Sequence, residues 1–330
     1  MEKVSVIIPN WNGQRFLQVC FDSLAAQTYK DFAVYLVDNG SADDSLSYVK
    51  LNYPDINIIA LPENFGFSAA INAGINGSKG ELVAALNNDT ASDPKWLEEI
   101  VNVMDSRADI GFCASLLLDF NDRTIIDSFG DNYSLIGLSG KIATREDFRV
   151  VGDEPTEVFS ACAAASVYRR SMLDKIGHFD EDFFCYMEDV DIGIRAQLVG
   201  YRCLAIPAAK VYHIGSASTG GDMSAFSLSM TAKNLICVLI KDMPLLLLLV
   251  MLPLSLAAQA LLVLESLLTD RRPKFKKNLS AYFNGLGQGL RLLPLMLQKR
   301  KQIQATRTVS VVQLAKLIYQ SRAQNLAFRK

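Results

Sequence analysis

No two of the six cysteines, Cys20, Cys113, Cys162, Cys185, Cys203 and Cys237, are spaced as a CxxC pair or as a disulfide framework. The chain also opens without a signal-peptide pattern, so a reducing, cytosolic compartment is expected. Internal repeats and low-complexity linkers are missing. So is G-x-G-x-x-G after the first strand-like run, where PNWNGQ stands. That absence argues against a dinucleotide oxidoreductase, and the GxGxG within NGLGQGL lies far downstream and follows no strand. Excess charge of one sign is missing only on average. The formal net charge is −2, yet residues 231–330 hold 16 Lys/Arg against 3 Asp/Glu. The front is correspondingly acidic, and a basic back is expected to meet something anionic.

What is present suits two units within 330 residues, half of them apolar. Val4 to Ile8, Phe32 to Val37, Ile56 to Leu61 and Glu81 to Leu86 read as buried strands. Helical patterns fall between them, with Phe16, Leu17, Cys20 and Leu24 on one face of the first. Ser41 and Asp44 are spaced as a capping box, and Asp93-Pro94 as the N-cap and first residue of a further helix. This alternation predicts a doubly wound, mostly parallel sheet flanked by helices.

Ligands of such sheets bind at the carboxyl ends of the strands. Those ends carry Pro9-Asn10-Trp11-Asn12, Asp38-Asn39-Gly40-Ser41, Glu63-Asn64-Phe65-Gly66 and Asn87-Asn88-Asp89. Aromatics, carboxylates and amides together suit a base or ribose plus a metal-bound phosphate. Each loop alone is also ordinary turn chemistry. Further on, FFCYMEDVDIGIR packs Glu188, Asp189 and Asp191 behind Phe183, Phe184 and Tyr186. Crowded acids beside apolar walls are costly to ionise, which raises a carboxylate's pKa and improves it as a base.

IIPNWNG, VDNGSADDS, ENFGFSAAINAGI, LNNDT, FDEDFFCYMEDVDIGIRAQLVGYR and VYHIGSAS, in that order, resemble the family 2 glycosyltransferases of the GT-A fold. The similarity covers about the first 220 residues and points to the rhamnosyltransferase-like branch that builds bacterial surface polysaccharides such as O-antigen. It implies a catalytic domain over residues 1–230. Asp38 would accept from a pyrimidine N3–H. Trp11 would pack on the base or ribose, or else cap the sheet. Pro9, Asn12, Asn64, Gly66, Asn72, Asn87 and Asn88 would shape the donor pocket, although Asn72 could equally bond within its helix. LNNDT stands at the family's DxD position with only Asp89 as carboxylate, so a divalent cofactor, Mg²⁺ or Mn²⁺, would be held by Asp89 with His213, or weakly. His213 could also be satisfied locally.

The resemblance further implies an inverting transfer with Asp189 as general base. Glu188 would favour the helix start or orient the acceptor, and Asp191 would support it or pair with Arg195 at i,i+4. Phe183, Phe184 and Tyr186 line the acceptor site or, for the two Phe, belong to the core. The donor is expected to be a dTDP- or UDP-sugar, dTDP-rhamnose first. The acceptor would be a lipid-linked saccharide. A non-catalytic nucleotide-sugar-binding scaffold is the competing reading.

Residues 231–330 read as a basic, apolar, helical, membrane-associating region. Met243 to Leu264 is 22 residues without a charge, long enough to span a bilayer. Pro253 divides it into halves too short to cross, and one crossing would place Arg271, Arg272, Lys274, Lys276 and Lys277 outside. A re-entrant or in-plane segment therefore fits better than a crossing or a buried core helix. Val311, Leu314, Ala315 and Ile318 form another apolar stripe. An anionic membrane surface is the expected partner and nucleic acid is not. The expected location is the cytoplasmic face of the bacterial inner membrane.

Overall fold

A computed structural model describes residues 2–215 and 223–328. Strands β1 (Val4–Asn10), β2 (Phe32–Asn39), β3 (Asn57–Leu61) and β4 (Leu82–Leu86) alternate with helices α1 (Gln14–Ala25), α2 (Ser45–Asn52) and α3 (Phe67–Gly77). All four strands are parallel, in the order β3-β2-β1-β4. The chain therefore steps outward from β1 and returns to its other side, which makes the β1/β4 boundary the switch point where ligands bind. Pairing there stops at Ile7 opposite Ala85, whereas β1 stays paired with β2 as far as Asn10 opposite Asp38. The result is a crevice between the ends of β1 and β4.

The chain continues through β5 (Thr90–Ser92), α4 (Trp96–Ser106), β6 (Ile110–Asp119), β7 (Ile126–Ser128) and the antiparallel pair β8 (Asp131–Tyr133) and β9 (Ser139–Lys141). Next come β10 (Thr156–Val158), β11 (Ala165–Arg169), α5 (Arg170–Ile176), α6 (Glu188–Leu198) and β12 (Arg202–His213). The main sheet reads β10-β12-β6-β11-β4-β1-β2-β3. β6 and β12 form a second parallel pair, and β11 sits antiparallel between β6 and β4. Side-chain alternation gives each face of the sheet its own core. Val4, Val6, Ile8, Leu82, Ala84 and Leu86 meet α1 and α4 on one side, while Ile7, Val83 and Ala85 meet α3 on the other.

Three local expectations are corrected. Phe21, not Phe16, joins Leu17, Cys20 and Leu24 on the buried face of α1. Ser41 does not cap α2. Its Oγ takes the Asn12 N–H at 2.9 Å, while Asp43 accepts from the Ser45 backbone at 3.1 Å. Helix α4 begins at Trp96 rather than Pro94. Asp93 closes a turn onto Lys95 N, and the Leu97 N–H goes to Gln27 Oε1 at 3.0 Å.

The remaining helices are α7 (Ala225–Asp242), α8 (Leu245–Leu268), α9 (Pro273–Lys277), α10 (Leu279–Arg291), α11 (Leu293–Thr306) and α12 (Val311–Ala327). The division expected at residue 230 falls inside α7. Met187, Val190, Ile194 and Leu198 share one core with Val238, Met251, Met296, Leu314 and Ile318 from these helices. NGLGQGL is packing, since a Cβ on Gly285 would stand 2.1 Å from the Ser229 carbonyl oxygen of α7 and one on Gly289 2.9 Å from that of Lys233. Pro253 does not divide the apolar run, because α8 passes through it as one helix of 24 residues. Leu247, Leu248, Met251, Ser255 and Ser266 pack inward along its length, and Leu246, Leu249, Leu261 and Leu268 face outward. By length and composition it is apolar enough to cross a membrane.

Candidate active site

A cavity of about 480 Å³ opens at the switch point. One side of it is made from strand ends. Asn10 is the hub: its Nδ2 donates to Asp38 Oδ1 at 3.0 Å, and its Oδ1 accepts from Asn88 Nδ2 at 2.7 Å, bridging the crevice. Asn39 donates to Asn64 Oδ1 and to the Gly66 carbonyl, both at 3.0 Å, and accepts from Phe65 N. Gly66, at φ 90°, begins α3 so closely under Phe184 that a Cβ would lie 2.5 Å from the Phe184 carbonyl oxygen. Trp11, 41% exposed, overhangs this side.

Of the expected donor residues, Pro9, Trp11, Asn64, Gly66, Asn87 and Asn88 line the cavity. Three lie off it. Asp38 is buried beneath, its oxygens taken by Asn10 and by Ser41 N. Asn12, at φ 50°, closes a turn by accepting from Ala42 N at 2.8 Å. Asn72 clamps α3 to the segment before the acidic motif: its Nδ2 donates to the Phe179 carbonyl at 2.8 Å and its Oδ1 accepts from Phe179 N at 3.0 Å.

Asp89 and His213 come together on the cavity wall, with His213 Nε2 3.4 Å from Asp89 Oδ1 and Nδ1 2.8 Å from Asp127 Oδ2. Burial works against the imidazolium, but Asp127 and Asp89 outweigh it and raise the His213 pKa to about 9. Both side chains are over nine-tenths buried, and Nε2 has no hydrogen-bond partner. A carboxylate and an imidazole nitrogen aimed at one point, with the other nitrogen oriented by a carboxylate, is a donor set that fits a divalent ion completed by phosphate oxygens. Asp127 was not foreseen, and it stands in a stretch without recognisable pattern. The end of VYHIGSAS, at 216–218, lies outside the described residues.

Opposite stand the acids. α6 begins at Glu188, directly after the left-handed residues Phe184, Tyr186 and Met187 (φ 66°, 68° and 67°). Such conformations cost about 1–3 kcal/mol each and persist only when neighbours hold them. The holder is α7. Asn234 Nδ2 donates to the carbonyls of Phe183, Cys185 and Tyr186 at 3.0, 2.9 and 2.7 Å, and Lys233 Nζ to that of Asp182 at 2.7 Å.

Asp189 accepts from Val190 N at 2.8 Å and Ala163 N at 3.3 Å. Burial nonetheless raises its pKa. Burial and then the Asp189 charge push Glu188 well above the usual carboxylate range, and its Oε2 has no partner. Asp191 faces away. It is fully buried between Arg195, at 2.7 Å, and Lys241, so its place is in an ion network with Asp180 rather than on the cavity. Phe183 is core, whereas Phe184 and Tyr186 line the cavity beside Phe226.

A mixed sheet with a crevice at its switch point and acids facing it across one cavity matches solved glycosyltransferases in fold. The chain superposes on GalNAc-T7 bound to UDP, GalNAc and Mn²⁺ with a TM-score of 0.60 at 19% identity, over 73% of this chain and 48% of that one. S. aureus TarS 1-349 gives 0.55 at 17%, over 100% and 91%. The family model for glycosyl transferase family 2 matches residues 5–177, more than half of the chain, which therefore belongs to that family. The match ends before the acidic segment. Relatives include the O-antigen biosynthesis protein RfbC of Myxococcus xanthus, 30% identical over 67% of this chain and 18% of that protein. Another is the N-acetylglucosaminyl-diphospho-decaprenol L-rhamnosyltransferase of Mycobacterium tuberculosis, 29% identical over 63% and 74%. The chain is thus a family 2 glycosyltransferase, and it spans less than a fifth of RfbC's length.

Proposed function

We propose that the enzyme inverts the anomeric carbon of a nucleotide-diphosphate sugar, dTDP-rhamnose first, in transferring it to a hydroxyl of a lipid-linked saccharide. The observation that carries this reading is that Asp189 faces the same cavity as the Asp89–His213 pair. A hydroxyl is a poor nucleophile near neutral pH, and a carboxylate within hydrogen-bond reach takes its proton as it attacks. Asp89 and His213 would hold a divalent ion, Mg²⁺ or Mn²⁺, which when bound neutralises charge on the departing diphosphate. Trp11, Asn64 and Asn88 line the nucleotide side, and Ala163 and Ala164 leave room for the sugar.

The test is nucleotide release by the full chain across dTDP-, UDP- and GDP-sugars, with Mg²⁺ or Mn²⁺ and a bacterial lipid-linked saccharide extract. One donor should give metal- and acceptor-dependent release. Asp189→Asn should cut it by about 10²–10⁴-fold while leaving nucleotide affinity unchanged. Release that survives Asp189→Asn would remove Asp189 as the base.

The same proposal places the enzyme on the cytoplasmic face of the inner membrane. α8 is docked to the protein along one face, so its outward leucines suit an in-plane position, with neighbouring Arg and Lys toward anionic headgroups. Leu246→Gln with Leu249→Gln and Leu261→Gln should abolish sedimentation with anionic vesicles. Undiminished sedimentation would sink this placement.

A further inference from the structure

One buried carboxylate in the cavity has no role in the chemistry above. Asp131, at the start of β8, is only 6% exposed, lines the cavity, and its Oδ2 has no hydrogen-bond partner. One oxygen of Asp131, one of Asp189 and the Cys162 sulfur all lie within 4.8 Å of one another. Both acids are pinned to Ser160. The Asp131 N–H donates to the Ser160 carbonyl at 2.8 Å, Ser160 N returns a bond to the Asp131 carbonyl at 3.1 Å, and Ser160 Oγ donates to the Asp189 carbonyl at 2.8 Å. Gly193 lets α6 approach, since a Cβ there would lie 2.2 Å from Ser160 Oγ. The two carboxylates are therefore held at a fixed separation by one residue.

We propose that Asp131 and Asp189 together recognise two neighbouring hydroxyls of the acceptor sugar, the one at Asp189 being the nucleophile. This rests on the reading of Asp189 as base. Each O–H···O contact spans about 2.7 Å, so adjacent hydroxyls fit between oxygens no more than 4.8 Å apart. Asp189 accepts two backbone N–H groups while Asp131 Oδ2 has no partner, and burial, then the Asp189 charge, raise the Asp131 pKa well above the ordinary carboxylate range, so two adjacent anions are disfavoured. Cys162, also held as the thiol by burial, adds no charge. A cation between the two acids would occupy the lone pair that the base needs. The acceptor, not the donor, is assigned because Asp131 shares its anchor with the base and makes no bond to the β1/β4 crevice. In the step itself, the acceptor oxygen bonds to the anomeric carbon and its proton passes to Asp189. The anomeric carbon–phosphate oxygen bond breaks with its electron pair leaving on the diphosphate, and Asp131 takes no proton from the acceptor.

The test measures binding by the full chain of octyl glycosides of N-acetylglucosamine, glucose, galactose and rhamnose, titrated by saturation-transfer NMR beside UDP. At least one glycoside should bind. Its Kd should rise about tenfold to a hundredfold in Asp131→Ala, and by a similar factor in the analogue lacking the neighbouring hydroxyl, whereas Asp131→Asn, nearly isosteric with the neutral acid, should lose less. The two losses should not add, because both remove one contact. UDP affinity should not move. Asp131→Ala should keep a cooperative thermal transition, and if it does not fold, Asp131→Ser is read in its place. The proposal fails if no glycoside binds, if the two losses add, or if the variant weakens UDP instead. Nucleotide release is scored separately. Glycoside binding with release that survives Asp189→Asn would sink the base and leave the diol site standing, whereas release without glycoside binding would sink the diol site alone.

Discussion

The two sides of the cavity are built differently. On the proposed nucleotide side, residues of four strand ends satisfy one another: Asn10, Asp38, Asn39, Asn64 and Asn88 form bonds that need nothing outside the first ninety residues. On the side proposed to be catalytic, the segment carrying Glu188 and Asp189 does not hold its own shape. The carbonyls of its strained turn, from Asp182 to Tyr186, are held by Asn234 and Lys233, and Asp180, Asp182 and Asp191 are pinned by Lys241 and Lys299 of the C-terminal helices. Part of the positive charge of the back region is therefore spent inside the molecule. Binding and chemistry should then be separable by mutation.

The largest separation is expected from Asn234→Ala. It releases three carbonyls from a strained turn, so Asp189 loses its aim, and kcat should fall about 10–100-fold with nucleotide Kd within about twofold. Asn10→Ala should do the reverse, raising nucleotide Kd by about tenfold through loss of the bonds to Asn88 and Asp38, with a smaller effect on kcat. Stopped-flow nucleotide binding beside steady-state kinetics measures both. Parallel losses in the two parameters for both variants would mean that the sides are one unit.

A smaller effect probes how α7 itself is held. Gly285→Ala puts a methyl carbon into the Ser229 carbonyl and should cost about 1–3 kcal/mol in urea unfolding. Gly287→Ala, with nothing within 4 Å, should instead stabilise by up to about 1 kcal/mol through helix propensity. Equal effects would refute the close α7–α10 contact.

The nucleotide side was legible because strand periodicity and turn chemistry are local. Four buried apolar runs located the four strand ends, and Asn64, Gly66 and Asn88 followed. What stayed hidden was long-range. Asp127 and Asp131 sit in short strands without periodicity, and Asn234 lies in a helix whose apolar neighbours read as membrane. Asp38 looked free in sequence because its partner Asn10 is 28 residues away. Pro253 suggested a break, but a proline on an outward face leaves the inward stripe of α8 intact.

The smallest predicted effect is a slope. Burial, then Asp189, raise the Glu188 pKa above its unfolded value, so between the two values the folded chain keeps a proton that the unfolded chain has lost. Stability must therefore fall as pH rises through that window, by at most about 1.4 kcal/mol per pH unit for one proton. Asp180 and Asp191, lowered despite burial by Lys241 and Arg195, act oppositely, and their contribution is lost only as pH falls through their own depressed values. Glu188→Gln removes the first term and leaves the second. Its urea midpoint should exceed that of the unsubstituted chain at pH 8 by more than at pH 5. A gap of the same size at both values would mean that Glu188 is ionised in the folded state, and that the catalytic side carries its acids without the strain argued for it.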